Sequence, residues 1–460
     1  VFRQFLFAGT DRFKRQLSRG RSAAYAHRKI LRAAASGTKL PEHLLHRPVL
    51  QRMEGDDGKR AALLQAAEHT VKRVRQAFYL AVDLNADRLK GPFCGMTSFF
   101  DRVCRYGGAM AGDLSSWPGV AIDCTFSANY STDTGGALYK MTAMTNCWLG
   151  FNQSTNQGGA CQLCYGISGC VFTGNRSMKN RGGALSESEA FDSVFSNNYT
   201  PLTRGGAGTK STFTRCAFSG AGAVSCGWCR DCTFTGVTPA GAGDVQLFDC
   251  LHNAGGTIGV TNCLISGCSG FDFLFSNEGS TSSVVNCTFV GNTVTAAGRA
   301  IRVMSGPHYQ QVNGVISEAY HVPAKGDFVN CLFSGNTRAN GTLVDLAMNV
   351  SDNALSIGTT ECTLMNCLYE ATDPSLIDPD AVLLNVFQGN PHFVAGDAKF
   401  PGVPHYAIRY ASAARNAGVN AAWMASATDM AGNARINDGT VDIGCYECYL
   451  PCEGTMVIFR

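Results

Sequence analysis

The sequence has little charge, no long apolar run and few acids in its middle part. Only 16% of its 460 residues are Asp, Glu, Lys or Arg, whereas 52 are Gly. This composition is typical of a chain rich in β-strands and turns. No apolar run is long enough for a transmembrane helix, and the apolar patch at residues 5–8 is too short for a signal-peptide core. We therefore expect no transmembrane segment.

Basic residues are concentrated at the start of the chain. Residues 1–93 contain 19 Lys and Arg against 8 Asp and Glu, whereas the remainder contains 19 against 27. Apolar residues at steps of three and four predict an amphipathic helix over residues 59–82. Clustered positive charge suits nucleic acid or an anionic membrane, and an Arg-rich segment also suits an organellar transit peptide. We favour a solvated helical leader, because it lacks a zinc-ligand pattern and a phosphate-binding loop; nucleic acid is not an expected partner.

Three sets of residues recur every 23 positions in the next part of the chain. The first set is Cys124, Cys147, Cys170, Ser193 and Cys216. The second is Phe126, Leu149, Phe172, Phe195 and Phe218, and the third is Asn129, Asn152, Asn175 and Asn198. A Gly-Gly-Ala element recurs in the other half of the period, from Gly135 to Ala207. Looser copies of the Cys-containing element continue to Cys367.

This periodicity predicts an all-β, right-handed, single-stranded parallel β-helix. In a Cys-x-Phe strand both side chains point inward, and stacked coils place equivalent residues about 4.8 Å apart. We expect Asn to bend the chain by adopting the left-handed conformation and to pair with the Asn of adjacent coils. Gly-Gly allows positive φ and close backbone approach. The predicted domains are the leader (1–93), the β-helix (94–390) with an insertion near 302–324, and C-terminal coils with a cap (391–460).

The 21 cysteines do not by themselves predict a metal or redox site. About nine belong to the inward column, where a thiol acts as a small apolar side chain. Cys445, Cys448 and Cys452 have zinc-like spacing and remain candidate metal ligands. Our preferred interpretation is core packing plus one or two local disulfides, without a cofactor.

The segments Ser412–Gly418, Asp429–Ile436 and Val441–Glu447 resemble the "SPAINAG…DGNPRI…VDIGAYE" ending of bacterial right-handed β-helix surface proteins. The upstream repeats, such as Gly182–Leu185 and Phe172–Asn175, resemble the GGA(I/L) and FxxN repeats of polymorphic outer-membrane proteins. This resemblance implies a pectin-lyase-like solenoid, export, surface display and adhesion. It implies no specific activity.

Candidate site residues are few. Glu187 and Glu189 alternate on one predicted strand near Asp192 and Arg181, which makes them the best catalytic candidates; Asp244 and Asp249 are a second pair. His308, Tyr309 and His321 lie in the predicted insertion and are candidate binding residues. We therefore predict a secreted or cell-surface, noncatalytic protein that binds a polysaccharide, a cell-surface glycan or a host partner along its side wall. The alternative is a polysaccharide lyase or glycoside hydrolase.

Overall fold

The computed structural model describes residues 98–100, 103–112, 119–201, 205–239, 246–251, 257–312, 315–400 and 402–448. This part of the chain is an all-β, right-handed parallel β-helix, as predicted. Each early coil passes through four sheets, S1 to S4, in that order. The basic leader, including its predicted helix, lies outside the described residues. In the described part of the chain, no helix is long and apolar enough to span a membrane.

The strands of the four sheets are short. S1 consists of Ser98–Phe100, Thr125–Ser127, Trp148–Gly150, Val171–Thr173, Val194–Ser196, Ala217–Ala221, Thr233–Thr238, Leu264–Ser266, Thr288–Val290, Leu332–Ser334, Leu368–Tyr369 and Phe387–Gln388. S2 consists of Val103–Tyr106, Tyr130–Thr134, Gln153–Ser154 and Arg176–Ser177. S3 consists of Met110–Ala111, Leu138–Tyr139, Cys161–Gln162, Leu185–Ser186, Gly208–Thr209, Val224–Ser225, Gln246–Leu251, Ser269–Glu278, Thr293–Met304, Thr337–Arg338 and Met348–Ser351. S4 consists of Gly119–Ile122, Met141–Thr145, Ile167–Ser168, Glu189–Phe191, Thr212–Thr214, Trp228–Arg230, Ile258–Thr261, Thr281–Val285, Lys325–Val329, Glu361–Met365 and Val382–Leu384. The 3-10 helices are Pro374–Leu376 and Ala422–Ser426.

The predicted Phe column forms the centre of S1. Phe172 registers with Phe195, and Phe195 registers with Phe218. Their rings stack with centroids 4.8 and 5.1 Å apart, and all three side chains are buried. Phe126 registers with Leu149 at the start of the same column. The inward face of S1 therefore follows the period found in the sequence.

The Asn column forms the predicted ladder of hydrogen bonds. Nδ2 of Asn129, Asn152 and Asn175 donates to Oδ1 of the Asn one coil on, at 2.9, 3.0 and 2.9 Å. Asn198 closes this run, and all four side chains are fully buried.

The prediction that the ladder Asn itself is left-handed was wrong. The preceding residue takes that conformation, for example Ala128 (φ 54°), Phe151 (φ 56°) and Asn197 (φ 54°). The bend at this position lets the next side chain turn inward, where the amide replaces the backbone hydrogen bonds that the corner interrupts.

The two glycines of each Gly-Gly-Ala corner have different roles. The first adopts positive φ, as at Gly158 (φ 62°) and Gly182 (φ 77°). The second lies against the next coil: a Cβ added to Gly159 would lie 2.0 Å from the carbonyl oxygen of Gly183. The first glycine is therefore required by its positive φ, and the second by the close approach of the next coil.

The inward cysteines help to build the corner before S1. Sγ of Cys147 contacts the carbonyl oxygen of Thr145 at 3.3 Å, and the backbone N–H of Cys147 donates to Sγ of Cys170 at 3.3 Å. The column includes Cys124 and Cys216, which are also buried. Cys161, Cys164 and Cys170 are buried free thiols. The expected local disulfides are therefore not formed at Cys161 and Cys164, for example.

The predicted insertion is an antiparallel hairpin, Gly306–Val312 and Val315–Val322. Residues 302–304 belong instead to the coil, because Arg302 registers with Ser276 and Met304 with Glu278. The hairpin therefore begins after the S3 strand has been completed.

The C-terminal segment, residues 391–448, packs along the outward side of S1. Cys445 and Tyr446 pack with Leu264 and Val290. Ile443 and Ala414 pack with later coils, in a cluster that includes Leu332 and Leu368. The asparagines of successive corners bind this segment: Nδ2 of Asn330 donates to Val419 O at 3.0 Å, and Nδ2 of Asn366 donates to Ala417 O at 3.1 Å. These contacts lie on the side wall, whereas a cap was expected at the end of the solenoid.

The motif residues of the C-terminal segment form a buried polar network. Arg435 is fully buried, lies 3.2 Å from Glu447 and donates to the carbonyl oxygen of Gly444. Asp442 accepts from the backbone N–H of Cys448 at 2.6 Å, and Asp429 accepts from that of Glu447 at 2.9 Å. Burial raises the pKa of Glu447 to about 8. Asp429, Arg435, Asp442 and Glu447 thus hold this segment in its folded form.

Candidate functional site

The outward faces of the sheets differ in how much of them is exposed. The C-terminal segment covers S1 around Leu264 and Leu332. On S3 the outward column consists of small polar residues that are buried, such as Ser186, Thr209 and Ser225. The outward side chains of S4 are partly or fully exposed over most coils. S4 is therefore a wall that a large partner can reach.

Hydroxyl side chains dominate the middle of the S4 wall. Thr212 and Thr214 lie on one strand, Thr261 on a later one and Ser283 on the next. All are partly exposed. Such a surface offers many hydrogen-bond donors and acceptors but no group that ionises near neutral pH.

Trp228 is the dominant feature of this wall. It registers between Thr212 and Gly259, and 52% of it is exposed. A Cβ added to Gly259 would lie 2.1 Å from the indole, so the ring lies over the glycine of the next coil. The absence of a side chain at Gly259 thus lets the indole lie along the wall with part of its surface in solvent.

Arg230 and Trp423 extend this feature toward the C-terminal segment. Arg230 follows Trp228 by two residues and therefore points to the same side of the strand. Its guanidinium carbon lies 5.9 Å from the ring centroid of Trp423, which belongs to the 3-10 helix Ala422–Ser426. We call Trp228, Arg230 and Trp423 the Trp–Arg–Trp surface.

The predicted catalytic residues do not form one cluster. Glu187 occupies a left-handed corner (φ 49°) before the S4 strand that contains Glu189. Asp192 occupies the next corner (φ 48°) and binds Arg215 on the following coil through two hydrogen bonds of 2.7 and 2.8 Å. This ion pair lowers the pKa of the Asp192 carboxyl, so Asp192 is charged at neutral pH and is a poor general acid.

Arg181 lies elsewhere, beside S3. Its Nη1 approaches Ser225 Oγ at 3.5 Å, and Ser225 Oγ donates to Asp249 Oδ2 at 3.1 Å. Arg181 is thus brought near Asp249, a member of the second predicted pair; Asp244 lies outside the described residues. Asp249 is only 1% exposed, so its carboxylate does not face a ligand directly.

A second acid–base pair occurs on S3 and was not singled out from the sequence. Arg302 binds Glu278, donates to Ser276 Oγ at 3.0 Å and lies 4.4 Å from the ring centroid of Phe273. Both charged side chains are mostly shielded, with 17% and 14% exposed. Arg302 and Glu278 therefore neutralise each other's charge, and neither of them is an unpaired general base.

The candidate binding residues of the insertion lie in the hairpin. His308 stacks on Tyr320 with centroids 4.5 Å apart, and Tyr309 is 49% exposed. His321 is buried and its Nε2 lies 2.6 Å from Glu318 Oε1. Tyr309 is therefore accessible to a partner, whereas His321 serves the hairpin's own structure.

The candidate metal ligands are not assembled. Cys445 packs against Leu264 and Cys448 against Leu332, in separate apolar clusters; Cys452 lies outside the described residues. Burial raises the pKa of the Cys445 thiol to about 12. Among the described residues, no group of three or more His, Cys, Asp or Glu has metal-binding geometry.

Comparisons with known proteins yield structures of weak similarity. No protein-family model and no curated protein matches the chain. A pectate lyase, Pel9A, is similar in structure with a TM-score of 0.35 and 13% identity, over 76% of this chain and 88% of that one. A rhamnogalacturonan lyase has a TM-score of 0.26 and 11% identity, over 63% of this chain and 76% of that one. The A-module of the mannuronan C-5 epimerase AlgE6 of Azotobacter vinelandii has a TM-score of 0.25 and 11% identity, over 69% of this chain and 96% of that one. Likeness at this level gives no information on the ligand of this chain.

Proposed function

We propose that the protein is a noncatalytic, secreted or cell-surface β-helix that binds a glycan on its S4 wall. The observation that supports this proposal is the Trp228 indole, which lies over Gly259 and is 52% exposed. An aromatic face carries partial negative charge and attracts the C–H groups of a sugar ring. The hydroxyls of Thr212 and Thr261, one coil to each side, can exchange hydrogen bonds with sugar hydroxyls.

Arg230 favours a glycan that carries carboxylate or sulfate groups. Its guanidinium is exposed and lies near the face of Trp423. A planar guanidinium can bind an oxyanion through two parallel hydrogen bonds. The enzymatic alternative, a lyase or glycoside hydrolase, would need a carboxylate near its ordinary or raised pKa together with a free base; Asp192 is instead paired with Arg215.

Binding of acidic and neutral polysaccharides, measured by a glycan array and by calorimetry on the best ligand, tests the proposal. Trp228→Ala should weaken binding about tenfold or more, because losing about 1.4 kcal/mol of stacking is a tenfold loss of affinity. Gly259→Ala keeps the indole but displaces it, since the added Cβ would lie 2.1 Å from the ring, and should weaken binding similarly.

Trp148→Ala is the matched control. Trp148 lies over Gly150 of its own strand on S1, whereas Trp228 lies over Gly259 of the next coil on S4, so the control removes a glycine-backed indole from another wall. Equal affinities of the wild type, Trp228→Ala and Gly259→Ala would refute the proposed surface. Turnover of a polysaccharide that is lost in Glu187→Gln, Glu189→Gln or Asp192→Asn would instead support the enzymatic alternative.

A further inference from the structure

The last described coil ends in exposed strand edges. Strands Val382–Leu384 and Phe387–Gln388 each pair with one earlier strand and stand at the ends of S4 and S1. Leu383 registers with Leu364, whose side chain is fully buried, yet 40% of Leu383 is exposed. Val382 and Leu384 are 49% and 46% exposed. An inward column of the core therefore reaches solvent here, and an exposed edge of this kind is able to pair with another chain.

Exposed carboxylates are concentrated at this end of the β-helix, where Arg299 and Arg338 also lie. Residues 339–390 contain seven Asp and Glu and neither Lys nor Arg. Asp373 and Asp380, which flank the helix Pro374–Leu376 and precede the strand Val382–Leu384, are exposed. A partner for this end must therefore be basic and must also bury apolar surface.

The chain itself contains a segment with both properties. Residues 1–93 carry 19 Lys and Arg against 8 Asp and Glu. Their apolar residues, including Leu64, Val71 and Phe78, recur at steps of three and four. We propose that the acidic end of the β-helix binds residues 1–93 of a second copy of the chain, so that the protein associates head to tail.

A segment of 93 residues is long enough to span the β-helix, so association that depends on concentration is what distinguishes a second copy from the same molecule. The strands Ser98–Phe100 and Phe387–Gln388 are the first and last of the twelve strands of S1. At about 4.8 Å per coil, they lie about 50 Å apart. A contact between unlike surfaces at opposite ends does not close on itself and produces linear assemblies.

Sedimentation velocity of the full-length chain tests this inference by exchanging charges. The first variant carries Asp373→Lys and Asp380→Lys, and the second carries Lys14→Glu, Arg15→Glu, Lys72→Glu and Arg73→Glu. The wild type should associate with rising concentration at about 0.1 M salt and dissociate at about 1 M, where the Debye length falls to about 3 Å. Each variant alone should associate about tenfold more weakly, because the first set of substitutions lowers the net charge of residues 339–390 from −7 to −3 and the second lowers that of residues 1–93 from +11 to +3.

An equimolar mixture of the two variants distinguishes this contact from other modes of association. In the mixture, the unchanged basic segment of the first variant meets the unchanged acidic end of the second, which restores the wild-type contact, whereas the converse contact between the two altered surfaces stays weak. Association should therefore return in the mixture. Leu383→Gln should weaken association at about 0.1 M salt, whereas Asp123→Lys, at an exposed corner of an early coil, should not. A monomeric wild type, full association of the first variant or a monomeric mixture would each overturn the inference.

Discussion

Replacing Asn175 by Ala should destabilise the coils around it by several kcal/mol. Nδ2 of Asn175 donates to Asn198 Oδ1 and to Leu149 O, each at 2.9 Å. Its Oδ1 accepts from both the backbone N–H and Nδ2 of Asn152, each at 3.0 Å. The substitution leaves the backbone N–H of Asn152 and one N–H of its Nδ2 without a partner, at about 1–3 kcal/mol each, while the other N–H of Nδ2 still donates to Phe126 O. We expect a total loss of about 2–6 kcal/mol.

Asn156→Ala is the matched control for this prediction. Nδ2 of Asn156 also donates to the neighbouring coil, to Asp133 Oδ1 at 2.7 Å, but the pair is only partly buried. Because water can replace that bond, the loss should be about 1 kcal/mol or less. Denaturant unfolding by circular dichroism should be combined with amide hydrogen exchange, since a repeat protein can unfold coil by coil. A loss below about 1 kcal/mol for Asn175→Ala would refute the role assigned to the ladder.

Two further predictions concern the corners and the C-terminal segment. Gly159→Ala should destabilise the chain more than Gly236→Ala in thermal unfolding, because the added Cβ at residue 159 would overlap the next coil. A Cβ at Gly236 (φ 60°) would meet nothing within 4 Å and would add only backbone strain of about 1–2 kcal/mol. The reverse order of stability would contradict the stacking argument. Burial raises the pKa of Glu447 from 4.5 to about 8, so between these values the folded chain holds a proton that the unfolded chain has lost, and stability should fall as pH rises through this window. Glu447→Gln should flatten that dependence in unfolding free energies measured from pH 5 to 9, and an unchanged slope would contradict it.

The inward half of each coil could be predicted from the sequence because stacking makes it repeat. Phe172, Phe195 and Phe218 pack against one another at equivalent positions of adjacent coils, so the spacing of the core residues in the sequence equals the length of one coil. The Asn ladder was predicted for the same reason, although its left-handed residue was placed one position too late. These features depend on contacts between adjacent coils, and such contacts leave a regular trace in the chain.

The outward features could not be predicted in this way. Trp228 and Trp423 are nearly 200 residues apart and repeat at no period, so only the fold brings the first to the wall and the second beside Arg230. Arg181 was grouped with Glu187 by sequence distance, but the corner at Gly182 directs it toward Ser225, two coils on. A signal for Trp228 did exist: Gly259 replaces a side chain at the registered position one coil later.

The contacts of the C-terminal segment change how the solenoid can come apart. Coils that touch only their neighbours can fray one at a time from either end. Asn262, Asn286, Asn330 and Asn366 bind the segment on four successive coils, so these coils share one partner that is distant in sequence. The segment is also synthesised after the coils on which it lies. Folding of this half therefore ends with a single closing event, and unfolding here should be all-or-none, whereas the early coils can be lost in steps.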